Sequence, residues 1–401
     1  METKPAVVLK AGEAERVLAG HPWLYQGSVL RVTGAVEDGA IVEVRDHHRR
    51  HLAWGFYNSK SKIAVRVLGA ERVEADKKFF QERIGAALAV RRRHLPGASS
   101  FRVVNSEGDF LSGLIVDKYE DVLVVQTSSL GMDQCKAIIV EVLREMFSPR
   151  AVLERNDMAS RRFEGLPESQ GVLAGEAPGP VEVRMNGLKF ALDLATGHKT
   201  GLYLDQQENY QRVADLVKRA EARQVLDCFS FMGGFALHAA GAGVERVLGF
   251  DQSADAVAGA ARNAAANGLA ERCSFEAGNV FDWLKSQTTA PPHEKVIPKF
   301  DFVVLDPPSF TRDRASVPNA LRGYKEIHLR ALKLLRPGGT LATFCCSHHV
   351  DANLFMEAIL AAAFDSRRML RRTAVFSQAA DHPVLPAVPE TEYLKGFAFE
   401  V

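Results

Sequence analysis

From about Val181 to the C-terminus, short apolar runs of strand type alternate with amphipathic helical stretches, a pattern that admits few folds besides a doubly wound parallel sheet with helices on both faces. The strands of such a sheet are buried on both sides, and their C-terminal ends open on one edge, where ligands are held. Two of these runs, Phe302 to Leu305 and Thr340 to Phe344, end in residues that carry chemistry. The first leads into Asp306-Pro307-Pro308-Ser309-Phe310 and the second into Cys345-Cys346-Ser347. The pattern predicts an acidic loop beside a candidate thiol nucleophile, and that sheet edge is the predicted active site.

A third run, Gln224-Val225-Leu226, leads into Asp227-Cys228-Phe229-Ser230-Phe231-Met232-Gly233-Gly234-Phe235 and then a helix of small residues. Paired glycines at a helix N-terminus let a ligand approach the backbone, and Asp251, closing the next strand, is placed to accept hydrogen bonds from ribose hydroxyls. A glycine-rich turn fits dinucleotides as well as S-adenosylmethionine. This one lacks the Gly-x-Gly-x-x-Gly order that seats a pyrophosphate on the helix, which favours a nucleoside ligand without phosphates. Asn279, after the strand Cys273 to Glu276, faces an adenine edge on one reading and caps a helix on the other.

Upstream, the chain reads differently. Between Val7 and Leu68, short β-type stretches separated by Gly, Asp and Asn turns suggest a small barrel. Trp23, Trp54 and Tyr57 in it are read either as core or as an RNA-binding surface. A helix from Asp76 to His94 carries Arg91, Arg92 and Arg93, which suit the helix dipole or, alternatively, an RNA phosphate clamp. Strands at Phe101–Val104, Leu114–Asp117 and Val122–Gln126, a helix from Met132 to Met146 and a further strand follow. Glu168 to Pro180 reads as a turn or linker, and Thr288 to Pro298 as an insert that loops out.

Bulk properties narrow the function classes. With 47% hydrophobic and 25% charged residues the chain is globular, and no apolar run approaches the roughly 18 residues of a membrane span. The N-terminus lacks the apolar core of a secretory signal, so the cytoplasm is the expected location. Five cysteines without metal-ligand spacing suit reduced thiols and no metal site. The net charge of +1 does not advertise a nucleic-acid binder, although residues 1–73 hold 11 Lys and Arg against 8 Asp and Glu.

Val17-Leu18-Ala19-Gly20-His21-Pro22-Trp23-Leu24-Tyr25 and Gly55-Phe56-Tyr57-Asn58 resemble the PUA domain, an RNA-binding module. Gly197-His198-Lys199-Thr200-Gly201-Leu202-Tyr203-Leu204-Asp205-Gln206, the Phe229 to Phe235 loop, Asp306-Pro307-Pro308, Arg322-Gly323-Tyr324-Lys325, Pro383-Val384 and Tyr393-Leu394-Lys395-Gly396-Phe397 extend the likeness over nearly the whole chain. In that order they resemble the RlmI-type family of 23S rRNA cytosine-C5 methyltransferases. The resemblance implies an α/β chain with a β-barrel-like PUA domain over 1–73, a central α+β domain over 74–180 and a Rossmann-like class I methyltransferase domain over 181–401. It implies S-adenosyl-L-methionine as cofactor, held by Gln206, Asp227, Phe229, Ser230, Gly233, Gly234, Phe235, Asp251, Asn279 and Asp306. The implied partner is 23S ribosomal RNA, naked or partly assembled, met by Pro307, Pro308, Arg322, Tyr324, Lys325 and Arg91 to Arg93. No membrane is implied, and a homodimer is left open.

In that family the nucleophile is the cysteine preceding serine, here Cys346, with Asp306 as the second catalytic group. Strand alternation would turn Cys345 the other way, into helix packing. Cytosine C5 is a poor nucleophile, and a thiolate adding at C6 supplies the electron push that methylation needs. A free thiol, with a pKa of about 8.5, requires a cation to ionise near neutrality; Lys325, Arg322 and His348 are the candidates. Two other readings stand beside this one: a guanine N-methyltransferase, which has no use for Cys346, and a non-catalytic RNA-binding assembly factor.

Overall fold

The computed structural model describes residues 5–194, 202–289 and 296–401. Residues 290–295 of the expected insert, and Gly197 to Gly201 of the family motif, lie outside the described residues. The chain forms two units.

The first unit comprises the described residues of Met1–Val183, Leu192–Leu204 and Ala380–Glu392. Its N-terminal part is a six-stranded sheet ordered Trp23–Tyr25, Ile63–Gly69, His51–Tyr57, Ile41–Arg45, Ala6–Leu9 and Val29–Thr33. Val7, Leu9, Leu24, Val42, Val44 and Val65 fill its interior. Trp23 is half-buried, its indole N–H donating to Glu107 Oε1 at 2.8 Å. A five-stranded sheet follows, ordered Ser169–Gly175, Ala151–Asn156, Val122–Thr127, Leu114–Tyr119 and Phe101–Asn105. The helix Lys77–His94 begins where the Asp76 side chain accepts the Phe79 amide, an N-cap that the sequence reading had placed inside the helix. Phe80, Ile84 and Leu88 on its buried face join Phe56 and Leu68 of the barrel and Val103, Val116 and Val125 of the second sheet in one core.

Two expectations need correction here. The helix expected over Met132 to Met146 is two pieces, Leu130–Gln134 and Lys136–Phe147, interrupted at Cys135. Half of the expected linker is an edge strand, since Ser169–Gly175 pairs antiparallel with Ala151–Asn156. Its Gly, Pro and small residues made the stretch read as loop; Gly175, at the end of the strand, has φ of +78°, and a Cβ there would lie 2.0 Å from the Arg150 carbonyl.

The second unit holds the doubly wound sheet. Its strands are β1 (Gln224–Cys228), β2 (Arg246–Asp251), β3 (Cys273–Ala277), β4 (Phe300–Leu305), β5 (Leu335–Cys345), β6 (Arg371–Ser377) and β7 (Lys395–Glu400), in the spatial order β3-β2-β1-β4-β5-β7-β6. The first five are parallel, while β7 runs antiparallel to both its neighbours. The helices are α1 (Gln207–Arg219), α2 (Gly234–Gly241), α3 (Ala254–Ala266), α4 (Val280–Thr288), α5 (Val317–Leu334) and α6 (Ala352–Ser366). Strand order reverses between β1 and β4, so the crevice for a ligand opens at their C-terminal ends. Val303, Leu305, Leu341 and Cys345 face Tyr324, Ile327, Ala331 and Phe355 in the core beneath that edge.

Candidate active site

The loop after β1 is turned by three residues in the left-handed region, Phe229 (φ +65°), Phe231 (+45°) and Gly233 (+86°). L-residues with side chains seldom adopt this region, and such positions cluster at ligand sites. Both the Phe229 and Ser230 amides donate to the Phe250 carbonyl, at 2.8 and 3.1 Å, which pins the loop to the end of β2. Gly234 admits no side chain because a Cβ there would lie 2.5 Å from the Tyr210 ring. The glycine therefore serves packing against α1 as well as any ligand.

Polar groups converge on this loop. Asp227 is fully buried; its Oδ2 accepts the Ala236 amide at 2.9 Å, and its Oδ1 has no partner. Burial drives its pKa well above the usual carboxylate range, opposed by the Ala236 amide and reinforced by the like charges of Asp306 and Asp251. The buried Ser230 hydroxyl is likewise without a partner. Asp251 is held rigidly by the amides of Phe231 and Ser253, both at 2.9 Å. A carboxylate so oriented retains lone pairs for two further donors.

At the neighbouring strand ends, Leu305 of β4 is in register with Thr343 of β5. The Asp306 carboxylate accepts from Gln206 Nε2 at 3.1 Å, and Gln206 Oε1 accepts from Asn209 at 2.7 Å. Gln206 is buried and orients the acid. Cys346 is half-buried, with Sγ 3.9 Å from the Pro307 carbonyl, whereas Cys345 is fully buried and donates to the Tyr324 hydroxyl at 3.2 Å. The Ser347 hydroxyl meets those of Tyr324 at 2.9 Å and Ser309 at 3.0 Å, and accepts the Phe310 amide at 3.3 Å. Phe229, Phe281, Phe310 and Tyr324 form an aromatic row with successive centroids 6.4, 5.6 and 4.6 Å apart.

Family models match the chain twice: a PUA-like domain over residues 7–69 and an S-adenosylmethionine-dependent methyltransferase over residues 150–388. Over 402 residues the chain is 38% identical to ribosomal RNA large subunit methyltransferase I of Vibrio vulnificus (strain YJ016), with 99% of each covered. The chain belongs to this methyltransferase family. The relative of the same name from Shewanella amazonensis is 39% identical over 400 residues, covering 98% of this chain and 99% of its own. Among solved structures, SMU.776 complexed with SAH matches with a TM-score of 0.83 at 20% identity, over 99% of this chain and 100% of that one.

S-adenosylmethionine is the cofactor of this methyltransferase family, and the residues present fit it. The unpartnered Asp227 Oδ1 and Ser230 hydroxyl offer polar contacts inside a closed loop, and Asp251 offers acceptors for a ribose. Several expected contacts look different in the structure. Phe235 is buried between Tyr210 and Phe344, at 4.7 and 5.0 Å, so only its backbone is left to meet a ligand. Asn279 is exposed and caps α4, accepting the Phe281 amide at 2.9 Å and the Asp282 amide at 3.2 Å. Of the Asp-Pro-Pro run, Pro307 is buried and Pro308 exposed.

Two of the expected substrate contacts lie in the interior of the protein. Tyr324 is completely buried, its hydroxyl bonded to Ser347 and Cys345, so it braces the end of β5 from the interior. Arg91 is 1% exposed and paired through two nitrogens with Asp109, and donates to the carbonyls of Arg102 and Asp381 at 2.8 and 2.7 Å. Arg92 and Arg93 are exposed. The candidate cations of α5 are also engaged: Lys325 pairs with Asp365 at 2.7 Å, and Arg322 bonds the Asn319 side chain. Desolvation, then the charges of Lys395 and His349, hold His348 below its ordinary pKa, so near neutrality it is not a cation. Sequence reasoning missed Ser347 and Lys395, whose ammonium donates to the Ser347 carbonyl at 2.8 Å. Period-two spacing from Cys345 was the available signal for Ser347.

Proposed function

We propose that this methyltransferase moves a methyl group from S-adenosylmethionine to C5 of a cytosine in 23S ribosomal RNA, through a covalent bond between Cys346 and C6. The observation that carries this reading is the division of the two adjacent thiols. Cys345 is sealed against Tyr324, while Cys346 lies beside the carbonyl that follows Asp306. The relatives' name, ribosomal RNA large subunit methyltransferase I, supports the substrate class.

The Cys346 thiolate donates its electron pair to C6, and the C5–C6 π pair shifts to C5, which becomes nucleophilic. S-adenosylmethionine, when bound, supplies an electrophilic methyl group. Asp306, held by Gln206, accepts a hydrogen bond from the cytosine N4 amino group and fixes the ring. Transfer of the C5 proton to water then restores the double bond and returns the S–C6 pair to Cys346. Reaching both ring carbons requires an unstacked base, at a cost of roughly a few kcal/mol that is least in unpaired RNA. Naked or partly assembled RNA therefore suits the site, met by the barrel of residues 1–73 and the exposed Arg92 and Arg93, and the cytoplasm is where it would act.

RNA carrying 5-fluorocytidine tests this directly, because fluorine at C5 cannot leave as a proton does. With S-adenosylmethionine, the wild type should form an adduct that survives denaturation, and Cys346→Ala should form none. An adduct retained in Cys346→Ala, or absent from the wild type, rejects the mechanism. Methylated guanine in the product would establish the alternative chemistry.

A further inference from the structure

We propose that two adjoining turns of the first unit form a platform for single-stranded RNA, on which Phe163 stacks a base while Lys60, Lys62 and Arg162 meet the phosphates around it. The inference rests on the reading of RNA as substrate and deepens it by naming where an unpaired stretch is held. One turn, residues 58–62, joins the barrel strands His51–Tyr57 and Ile63–Gly69. The other is the short helix Ala159–Glu164, which follows the strand Ala151–Asn156.

Glu164 bolts the two turns together. Its buried carboxylate accepts from the Ser61 hydroxyl, and from Asn58 Nδ2 and Arg66 Nη2 at 3.0 Å each; Asn58 Nδ2 also meets the Glu164 carbonyl at 3.0 Å. These bonds account for Asn58, the last residue of the Gly55 to Asn58 motif. They also neutralise the acid between the turns from within, through Arg66. Arg161 is likewise turned inward, onto Asp133 at 3.1 Å. Asp38 is held by the Ser59 amide and hydroxyl at 2.7 and 2.9 Å.

What faces water on these turns is cationic and aromatic. Lys60 lies along Gly165, where a Cβ would come 3.2 Å from its Cδ and 4.0 Å from its Nζ, so its ammonium sits over the turn that carries Arg162 and Phe163. The Arg162 guanidinium stands 5.1 Å from the centre of the Phe163 ring, which is 59% exposed. Lys62 is exposed two residues beyond Lys60. Among the described residues, none of these three cations has an acid within ion-pair distance. An open ring set among unpaired cations matches single-stranded RNA, whose unpaired bases have a face to stack and whose flanking phosphates are anions. Duplex RNA offers the phosphates without the base face. An apolar patch on another protein would leave the three cations without partners.

The experiment is fluorescence anisotropy of a labelled single-stranded RNA of mixed sequence, titrated with the full chain across a salt series without S-adenosylmethionine. Phe163→Ala should weaken binding by about tenfold with the salt dependence unchanged, the loss expected of one stacked base. Phe163→Trp should keep wild-type affinity, whereas Phe163→Leu, apolar but without a ring face, should bind like the alanine variant. Lys60→Gln, Lys62→Gln and Arg162→Gln combined should reduce the slope of log affinity against log salt by roughly two, near 0.7 for each phosphate contact. The same RNA annealed to its complement should be indifferent to Phe163. All four residues are exposed, so denaturation curves should match the wild type, and the single substitutions decide the matter if the combined variant does not fold. Wild-type affinity in Phe163→Leu overturns the proposal, as does an unchanged salt slope in the cation variants. Binding makes no use of Cys346, so a missing 5-fluorocytidine trap rejects the methyl-transfer chemistry while leaving the anisotropy result intact. Unaltered binding rejects the platform even where the trap forms.

Discussion

The hydroxyls of Tyr324 and Ser347 share a hydrogen bond of 2.9 Å inside the protein, and through it the helix α5 holds the end of β5. The Cys345 thiol donates to the phenol oxygen, the phenol to Ser347, Ser347 to Ser309, and Ser309 to the Thr311 carbonyl at 3.1 Å. In that direction every group in the row is satisfied, and the Asp306 to Phe310 loop is tied down beside Cys346. Tyr324→Phe removes the link and leaves buried partners without it, a change worth about 1–3 kcal/mol. We expect a lower urea midpoint and a reduced kcat with the KM for S-adenosylmethionine nearly unchanged, checked by denaturation and steady-state methylation.

Gly234 is a sharper test of the cofactor loop. An alanine methyl would sit 2.5 Å from the ring of Tyr210, which is itself buried, so the helix or the ring must move. Overpacking of this kind costs about 1–3 kcal/mol. Gly234→Ala should lose stability in that range and bind S-adenosylmethionine more weakly by calorimetry. Wild-type affinity in a folded variant would show that the loop geometry is not what holds the ligand.

Three adjacent arginines make different predictions. Arg91 is buried in a pair with Asp109, and removing one partner of such a pair costs about 3–5 kcal/mol. Arg91→Ala should therefore lower the unfolding midpoint strongly whatever happens to RNA. Replacing Arg92 and Arg93 together should leave stability nearly unchanged while weakening RNA binding and flattening its dependence on salt. Denaturation of both variants, with binding measured across a salt series, separates the two roles.

These residues also show how far sequence carries. The parallel sheet and the edge where the two loops meet were legible because strand periodicity and the Asp-Pro-Pro and Cys-Cys-Ser endings are local signals. Arg91 was indistinguishable from Arg92 and Arg93, since what separates them is Asp109, met only after folding. Lys395 reaches the site because β7 enters antiparallel beside β5, a register that nothing near Lys395 in the chain declares. Ser169–Gly175 was hidden for a different reason: its glycines mark a distorted edge strand as readily as a loop.

Asp227 is expected to trade stability for binding. Burial with one unpartnered oxygen raises its pKa, so its folded-state charge destabilises the protein once pH exceeds the ordinary carboxylate range. Asn at this position keeps an acceptor for the Ala236 amide and carries no charge. Asp227→Asn should unfold at higher denaturant without ligand, and should bind S-adenosylmethionine at least about tenfold more weakly, since a positively charged ligand no longer meets an anion. Calorimetry and denaturation on the same preparation check both halves.

His238 and His328 are both buried in the second unit, and we expect them to make it sensitive to acid. Burial lowers each to about 4; the Gly234 carbonyl at 2.7 Å opposes this for His238, and the Tyr324 carbonyl at 2.6 Å for His328. A histidine unfolds to a pKa of about 6.5, so between these values the unfolded chain binds protons that the folded one refuses. The stability is complete above about 6.5 and is lost as pH falls toward 4, at up to about 1.4 kcal/mol per pH unit for each ring. Asp227, shifted upward, runs the other way and reduces the net slope. His328→Gln gives up the Thr343 contact at 2.8 Å and should be less stable at pH 7, yet its stability should fall less steeply between pH 6.5 and 4 than that of the wild type. Parallel slopes in denaturation curves measured across that window would mean that His328 is not a source of the acid sensitivity.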